Sequence, residues 1–414
     1  MVWERNGKVS IIPLGGVVGV GQNCFLYTDG SSAVVVDCGI KPNANWADPP
    51  PRLDILDGVL NGSVKTIGII THAHLDHIGA VRELAKREVP IYLSEWSNRF
   101  LGRYAENLNV PRKAKIHIFD ENPTIRHGKF EISLMPVNHS IPGAYAVLLK
   151  HGKKSILHLG DFKFNGVQDN VFETRKVLRD IRKKAGLINC LVLDILNSEM
   201  EGFTPPEYLV LESIDGIIRE ARNQVIISFF ASNIRRMEGI LRIAAAHNRS
   251  IGIAGQGMTS SYGLLGKRAP SSNGDVLLIG GSQGEDNSGL VRMAFNEHAY
   301  LRLPRSSTVV LSSRCIQGNE MAVRGCLENL HASNARIIVH EGESEKLGLS
   351  FKPEERFLHV SGHEQREGLQ EGKDILKPEV IVPFHAPEDR YEIFESFVGG
   401  GQTKRLQLGE KLEI

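Results

Sequence analysis

The sequence predicts an α/β protein of two lobes, and three observations carry that expectation. At 414 residues the chain exceeds the usual size of one domain. From about Leu209 onward, stretches of helical period alternate with short β-branched runs, the pattern of a parallel sheet wrapped by helices. Before that point, short apolar runs follow one another between glycine-rich turns and long helical stretches are few, as in a strand-dominated lobe.

Taken in order, Val9–Ile12 leads into a Gly15-Gly16 turn, and Asn23–Tyr27 and Ala33–Val36 are apolar runs bounded by turn residues. Thr66–Thr71 is a further run, followed by a helix-like Ile78–Arg87. In the second segment Leu209–Arg222 reads as helix, Val225–Phe230 as strand, Ile234–Ala246 as helix and Ile251–Ala254 as strand. Buried runs recur at Val276–Ile279, Val309–Leu311 and Ile337–Val339. The C-terminal part gives a strand ending at His359, a helix from His363 to about Leu376, and a buried strand Val380–Phe384.

Composition narrows the class. A hydrophobic content of 41% fills real cores, and 49 Lys+Arg against 48 Asp+Glu leave a formal charge of +1. That balance excludes the strongly charged disordered classes. It also excludes a chain held to nucleic acid or membrane by net charge, so a polyanion must be gripped by local patches. No apolar run approaches the ~18 residues of a membrane span, and the opening lacks a signal-peptide pattern. Cys24, Cys38, Cys190, Cys315 and Cys326 are scattered, with no CxxC pair. They read as reduced packing thiols, so the expected location is the cytoplasm.

The sharpest motif is Thr71-His72-Ala73-His74-Leu75-Asp76-His77, directly after the apolar run Ile67–Ile70. Neutral imidazole and carboxylate are the ligands that borderline divalent ions prefer. A strand turning into a helix presents side chains in several directions, so His72 and His74 can face one ion while Asp76 and His77 face a second. A His-rich solvent turn is the bland alternative, and packing does not account for the cluster. Two further residues, His139 and Asp161, follow apolar runs beside turn residues, as strand-end ligands do. Alone, each reads equally well as a cap or a satisfied polar group. Asp161 can bridge two ions about 3.5–4 Å apart, the usual spacing of hydrolytic pairs.

Asp37 in Val36-Asp37-Cys38-Gly39, then His72–His77, His139 and Asp161 stand in the order of the metallo-β-lactamase fold. Leu193-Asp194-Ile195-Leu196-Asn197 resembles motif A of the β-CASP nucleases, Ser361-Gly362-His363 their motif B, and Pro383-Phe384-His385 their motif C. Phe230-Ala231-Ser232-Asn233, Gly281-Ser282-Gln283-Gly284-Glu285, Gly318-Asn319-Glu320 and His359–His363 resemble the ribonuclease J branch, in a compact form similar to archaeal members without the extra C-terminal domain.

The resemblance implies a metallo-β-lactamase αββα sandwich built from residues 1–200 and 355–414, with an inserted β-CASP α/β domain at 201–354. It implies two zinc ions per chain, with manganese as a substitute. His72, His74 and His139 would hold the first, Asp76, His77 and His385 the second, with Asp161 bridging. Asp37 would orient ligand histidines by hydrogen bonds. His363 would be the general acid that protonates the leaving 3′ oxygen, tuned by Asp194; with Asp76 these form the expected catalytic set. His359, Ser361, Gly362, Ser282 and Gly284 are the expected RNA contacts, the glycine turn aiming backbone N–H groups at a terminal phosphate. The implied activity is zinc-dependent hydrolysis of single-stranded RNA, 5′→3′ with endonuclease action as a second capability, by a homodimer free of membranes. His158 and the remaining histidines read as surface or core residues.

This chain departs from the branch in places. Val18–Asn23 lacks the usual Glu, Gln256 stands where Arg is common, Arg235 where His is typical, and Asn165 where Asp is usual. A neutral Gln256 offers weaker phosphate bonds than a bidentate Arg, so the changes bear on 5′-phosphate sensing rather than metal binding. The rival readings are an endonucleolytic RNA 3′-end processing factor, a non-catalytic RNA-binding scaffold, and a small-molecule hydrolase. The ribonuclease J-like stretches argue against the first, the filled ligand positions against the second, and motifs A to C against the third.

Overall fold

The computed structural model describes residues 8–17, 19–41, 49–120, 123–166 and 171–414; Val18, in the glycine-rich opening, lies outside them. The chain divides into two compact units. One contains the described residues through Gly166, those on to Thr204, and Gly362–Ile414; the other is Pro205–Ser361.

In the first unit two sheets lie face to face. Among the described residues the first has seven strands, in the order Leu412–Glu413, Ser10–Gly15, Cys24–Thr28, Ser32–Val36, Lys65–Ile69, Ile91–Ser94 and Ile116–Phe119. The second has six, in the order Val380–Phe384, Cys190–Asp194, Lys154–Gly160, Tyr145–His151, Phe130–Pro136 and Thr124–His127. Phe25, Val34, Val36 and Ile67 from one sheet meet Phe130, Leu134, Val147, Val192 and Phe384 from the other. Each such side chain contributes about 1.5–3 kcal/mol by leaving water. Helices Val171–Ala185, Arg366–Leu376 and Glu388–Val398 bring Leu178, Leu369 and Phe394 against the outer face of the second sheet. Leu53–Asn61 and Val81–Lys86 bury Leu56, Val59 and Leu84. The result is helix, sheet, sheet, helix.

The second unit is a wholly parallel sheet in the order Ile251–Ala254, Val276–Ile279, Val225–Ser228, Thr308–Leu311, Arg336–His340 and Glu354–Arg356. Glu207–Glu220 and Ile234–Ala246 cover one face, Gly289–Ala294 and Glu320–Ala332 the other. With both faces buried, the strands other than the edge strand Glu354–Arg356 are near-continuous apolar runs. The chain leaves Val225–Ser228 first toward one edge and later toward the other, which makes the carboxyl ends of this strand and Thr308–Leu311 a topological switch point.

Three expected elements differ. The stretch Ile78–Arg87 is not one helix but the end of Leu75–Ile78 followed by Val81–Lys86. The carbonyls of Leu75, Asp76 and His77 accept the N–H groups of Ile40, Asn23 and Cys38 at 3.1, 2.9 and 2.8 Å, so outside donors occupy them. The helix expected from His363 begins at Arg366, because the His363 carbonyl and the Glu364 carboxylate are taken by other segments. The strand expected to reach His359 ends at Arg356; the Leu358 N–H donates to His340 Nδ1 at 3.1 Å instead of to a strand. The helix Glu95–Leu108 is longer than the sequence suggested for this part.

Candidate metal centre

The site is assembled from strand ends. Strand Ser32–Val36 stops at Asp37, whose φ of +61° is left-handed, a conformation costing roughly 1–2 kcal/mol for a residue with a side chain. Its buried carboxylate accepts the Thr71 N–H at 2.8 Å and the Thr71 hydroxyl. It stands 2.7 Å from His77 Nδ1, which donates to it and so turns Nε2 toward Asp161. The next two residues pin the metal motif: Cys38 N–H binds the His77 carbonyl, and a Cβ at Gly39 would lie 1.7 Å from the Asp76 oxygen. Only glycine permits that approach.

Two groups of side chains converge. One ligand atom from each of His72, His74, His139 and Asp161 lies within 4.8 Å of the others, and the same holds for Asp76, His77, Asp161 and His385. In the first group His74 Nδ1 is 3.1 Å from His72 Nε2 and 2.9 Å from His139 Nε2. Ligand atoms around a tetrahedral ion at ~2.0–2.1 Å stand roughly 3.3 Å apart, so this spacing fits. Burial holds His72 and His139 well below the usual imidazole range, and His74 at about 4. All three are therefore neutral donors, the form that binds metal. His139 donates its Nδ1–H to the Gly362 carbonyl at 2.7 Å, which turns Nε2 inward.

Asp161 joins the groups. Its Oδ2 is 3.1 Å from His77 Nε2, 3.7 Å from His72 Nε2 and 3.9 Å from His139 Nε2. Its other oxygen, Oδ1, is buried without a hydrogen-bond partner, a costly arrangement unless a cation takes it up. Burial alone would raise this carboxyl, but His77, His385 and His363 outweigh burial and hold it well below the usual range. Burial likewise lowers His77, yet Asp161 and Asp37 drive it well above the imidazole range. Carboxylates that favour a proton there favour a metal cation in its place. The donor set fits divalent metal, as nitrogen and carboxylate oxygen at these spacings should.

His363 stands beside both groups. Its Nδ1 is 2.6 Å from Asp194 Oδ2 and 3.7 Å from Asp161 Oδ2, and its ring stacks on His385 at 5.0 Å. Burial lowers it, but Asp194 and then Asp161 raise it to about 9. Asp194 is itself fixed by the Leu196 N–H at 2.8 Å. His385 has a φ of +64°, and its N–H binds the Gly16 carbonyl at 2.7 Å.

The expected RNA contacts fall in both units. Gly362 abuts His139, where a Cβ would come within 2.6 Å of the ring. In the second unit Ser282 and Gly284 are buried in the turn after Val276–Ile279. The Gln283 amide staples that turn to the Arg314 carbonyl at 2.9 Å and the Ile316 N–H at 2.8 Å. His359 and Ser361 are half-buried, with the His359 ring 6.1 Å from Phe230.

Sequence reading missed Asn23, whose side-chain nitrogen stands 2.8 Å from His77 Nε2 and 2.7 Å from His385 Nδ1. Its place directly after the glycine-rich turn was the available signal. It also missed Arg236, fully buried against Glu207, beside the exposed Arg235. His158 is a core histidine bonded to the Tyr27 hydroxyl at 2.8 Å and lowered by burial to about 3.

Comparison with known proteins agrees along the chain. Residues 17–187 match the metallo-beta-lactamase superfamily and residues 267–330 the ribonuclease J beta-CASP domain. A ribonuclease J of Sinorhizobium meliloti is 31% identical over 446 residues, covering 99% of this chain and 75% of the relative. One from Mycoplasma pneumoniae is 28% identical, covering 91% of this chain and 67% of the relative. A solved protein of unknown function from Enterococcus faecalis shares the fold, with a TM-score of 0.66 at 16% identity over 98% of this chain and all of that one. With a relative 31% identical over 99% of this chain and 75% of its own length, and both domain models matched, the chain belongs to the ribonuclease J family.

Proposed function

We propose that the chain is a two-zinc ribonuclease that degrades single-stranded RNA from its 5′ end and also cuts internally. The observation that carries this reading is the shared Asp161, set between two imidazole groups with one buried oxygen that no protein group satisfies. His72, His74 and His139 would hold one ion, and Asp76, His77 and His385 the other. A bound divalent pair supplies an acidified water and offsets charge on the scissile phosphate.

The chain's own residues do the rest. Asp37 and the Gly362 carbonyl take the Nδ1 protons of His77 and His139, which fixes both tautomers. His363 is kept as imidazolium by Asp194 and delivers a proton to the departing 3′ oxygen. Ser282, Gly284, His359, Ser361 and Gly362 would contact RNA phosphate. The first two follow the carboxyl end of a parallel strand, the end at which such sheets usually bind ligands, which supports them. The five buried free thiols fit a reducing cytoplasm. No helix among the described residues is long and apolar enough to cross a membrane. A homodimer, implied by the resemblance, is checked by light scattering.

The test is a uniform RNA with a 5′-monophosphate or 5′-triphosphate, labelled at one end, incubated with and without a chelator. Chelator-sensitive release of mononucleotides from the 5′ end is the expected result, faster on monophosphate. Discrete internal cuts independent of the 5′ group would replace the exonuclease reading with an endonuclease. Binding without cleavage by metal-loaded protein would leave only a scaffold.

A further inference from the structure

We propose that Glu364, the residue after His363, is a positioning residue that sets where the general acid stands; the inference rests on the reading of His363 given above. Glu364 is 1% exposed, and its carboxylate accepts backbone N–H groups from three places. These are Phe164, Thr204 at 2.8 Å and its own neighbour Gln365 at 2.9 Å. Each donor belongs to a segment with a stake in the site. Phe164 lies three residues beyond Asp161. Its carbonyl accepts the Asn138 side chain at 3.1 Å, and Asn138, which precedes His139, accepts the Lys163 N–H at 2.9 Å. Thr204 also donates its hydroxyl to the His363 carbonyl at 2.6 Å, where the Asn197 side chain joins it at 3.0 Å. Asn197 in turn lies three residues beyond Asp194.

One buried carboxylate thus ties together the segments that carry Asp161, His139, Asp194 and His363. The carboxylate type matters. It carries no hydrogen and can accept all three bonds, whereas an amide turns an NH2 group toward an N–H donor. The space admits little adjustment, since a Cβ at Gly368 would come within 2.4 Å of the Glu364 side chain. Glu364 is placed to act through geometry: it fixes the backbone on either side of the acid, without touching substrate or metal. Misplacement of a reacting group by about 1 Å costs on the order of 100-fold in rate.

The test separates acid positioning from general damage by changing the leaving group. Two substrates are compared: an ordinary oligoribonucleotide, and one whose 5′-phosphate is esterified with p-nitrophenol. Nitrophenolate departs without a proton, so its release does not need His363. Glu364→Gln is expected to lower kcat on the ordinary RNA about 10- to 100-fold with KM nearly unchanged. Ions per chain should stay at the wild-type value, and the nitrophenyl ester should be hydrolysed at close to the wild-type rate. Thr204→Val, which removes only the hydroxyl bond to His363, should show the same selectivity with a smaller loss, and it decides the matter if Glu364→Gln does not fold. His363→Ala is run alongside. If His363→Ala spares the ester while Glu364→Gln slows both substrates equally, or neither, the positioning role is overturned and the general acid stands. If His363→Ala slows both substrates equally, the general-acid reading fails and the inference with it.

Discussion

Asp194 beside His363 sets the charge on which proton delivery depends. The carboxylate 2.6 Å from Nδ1 is the largest influence raising the imidazole, to about 9 against burial. The sign follows directly. Protonation favours the folded chain fully below the ordinary imidazole value of ~6.5, and that contribution is lost as pH rises through about 9. In the proposed role of general acid, His363 would be active on the same low-pH side. Asp194→Asn should therefore move the basic limb of the kcat profile on ordinary RNA to lower pH, and a limb that stays in place would remove Asp194 from that role. Gly362 has an equally specific requirement. A methyl group there meets the His139 ring at 2.6 Å, so Gly362→Ala should displace that ligand and lower the metal content measured by mass spectrometry. Full metal content in this variant would show that the carbonyl contact does not position His139.

Among the elements, strand ends carry the chemistry and their immediate followers decide the geometry. Motif His72–His77 was legible because its ligands are contiguous and follow a buried strand. The break after Ile78 was not, because it depends on N–H groups of Asn23, Cys38 and Ile40 from distant strands. Glu364 and Thr204 were hidden for the same reason: their partners lie far away in sequence. The second unit shows this most sharply. Its alternation of helix and strand was plain, yet nothing in the sequence marked Arg236, at helical position three of Ile234–Ala246, as a core residue. It is fully buried, with Nε 2.5 Å from Glu207 and Nη1 2.6 Å from the Ser312 carbonyl. Removing one partner strands a buried charge, so Glu207→Gln should destabilise the chain by about 3–5 kcal/mol. Replacing both, as Arg236→Met with Glu207→Leu, should recover most of it. Urea unfolding measures both, and an unchanged midpoint for the single variant would contradict the pairing.

At the scale of the whole molecule, the ligand order along the chain was readable although the ligands are far apart in it. His72, His139, Asp161, Asp194 and His385 end or follow apolar runs, because a sheet delivers side chains to one place through its strand ends, whereas His363 comes from the loop before Arg366–Leu376. What sequence left open is how the glycine turn at 281–284 is used, since Ser282 and Gly284 are buried and their exposure depends on packing around Ala322 and Ser313. The central claim, a pair of ions shared through Asp161, is tested most directly by counting metal per folded chain with native mass spectrometry, for wild type and His385→Ala. The account predicts two ions for wild type and one for the variant, whose first group of His72, His74, His139 and Asp161 remains complete. Two ions retained by His385→Ala, or a single ion in wild type that the variant keeps, would contradict it.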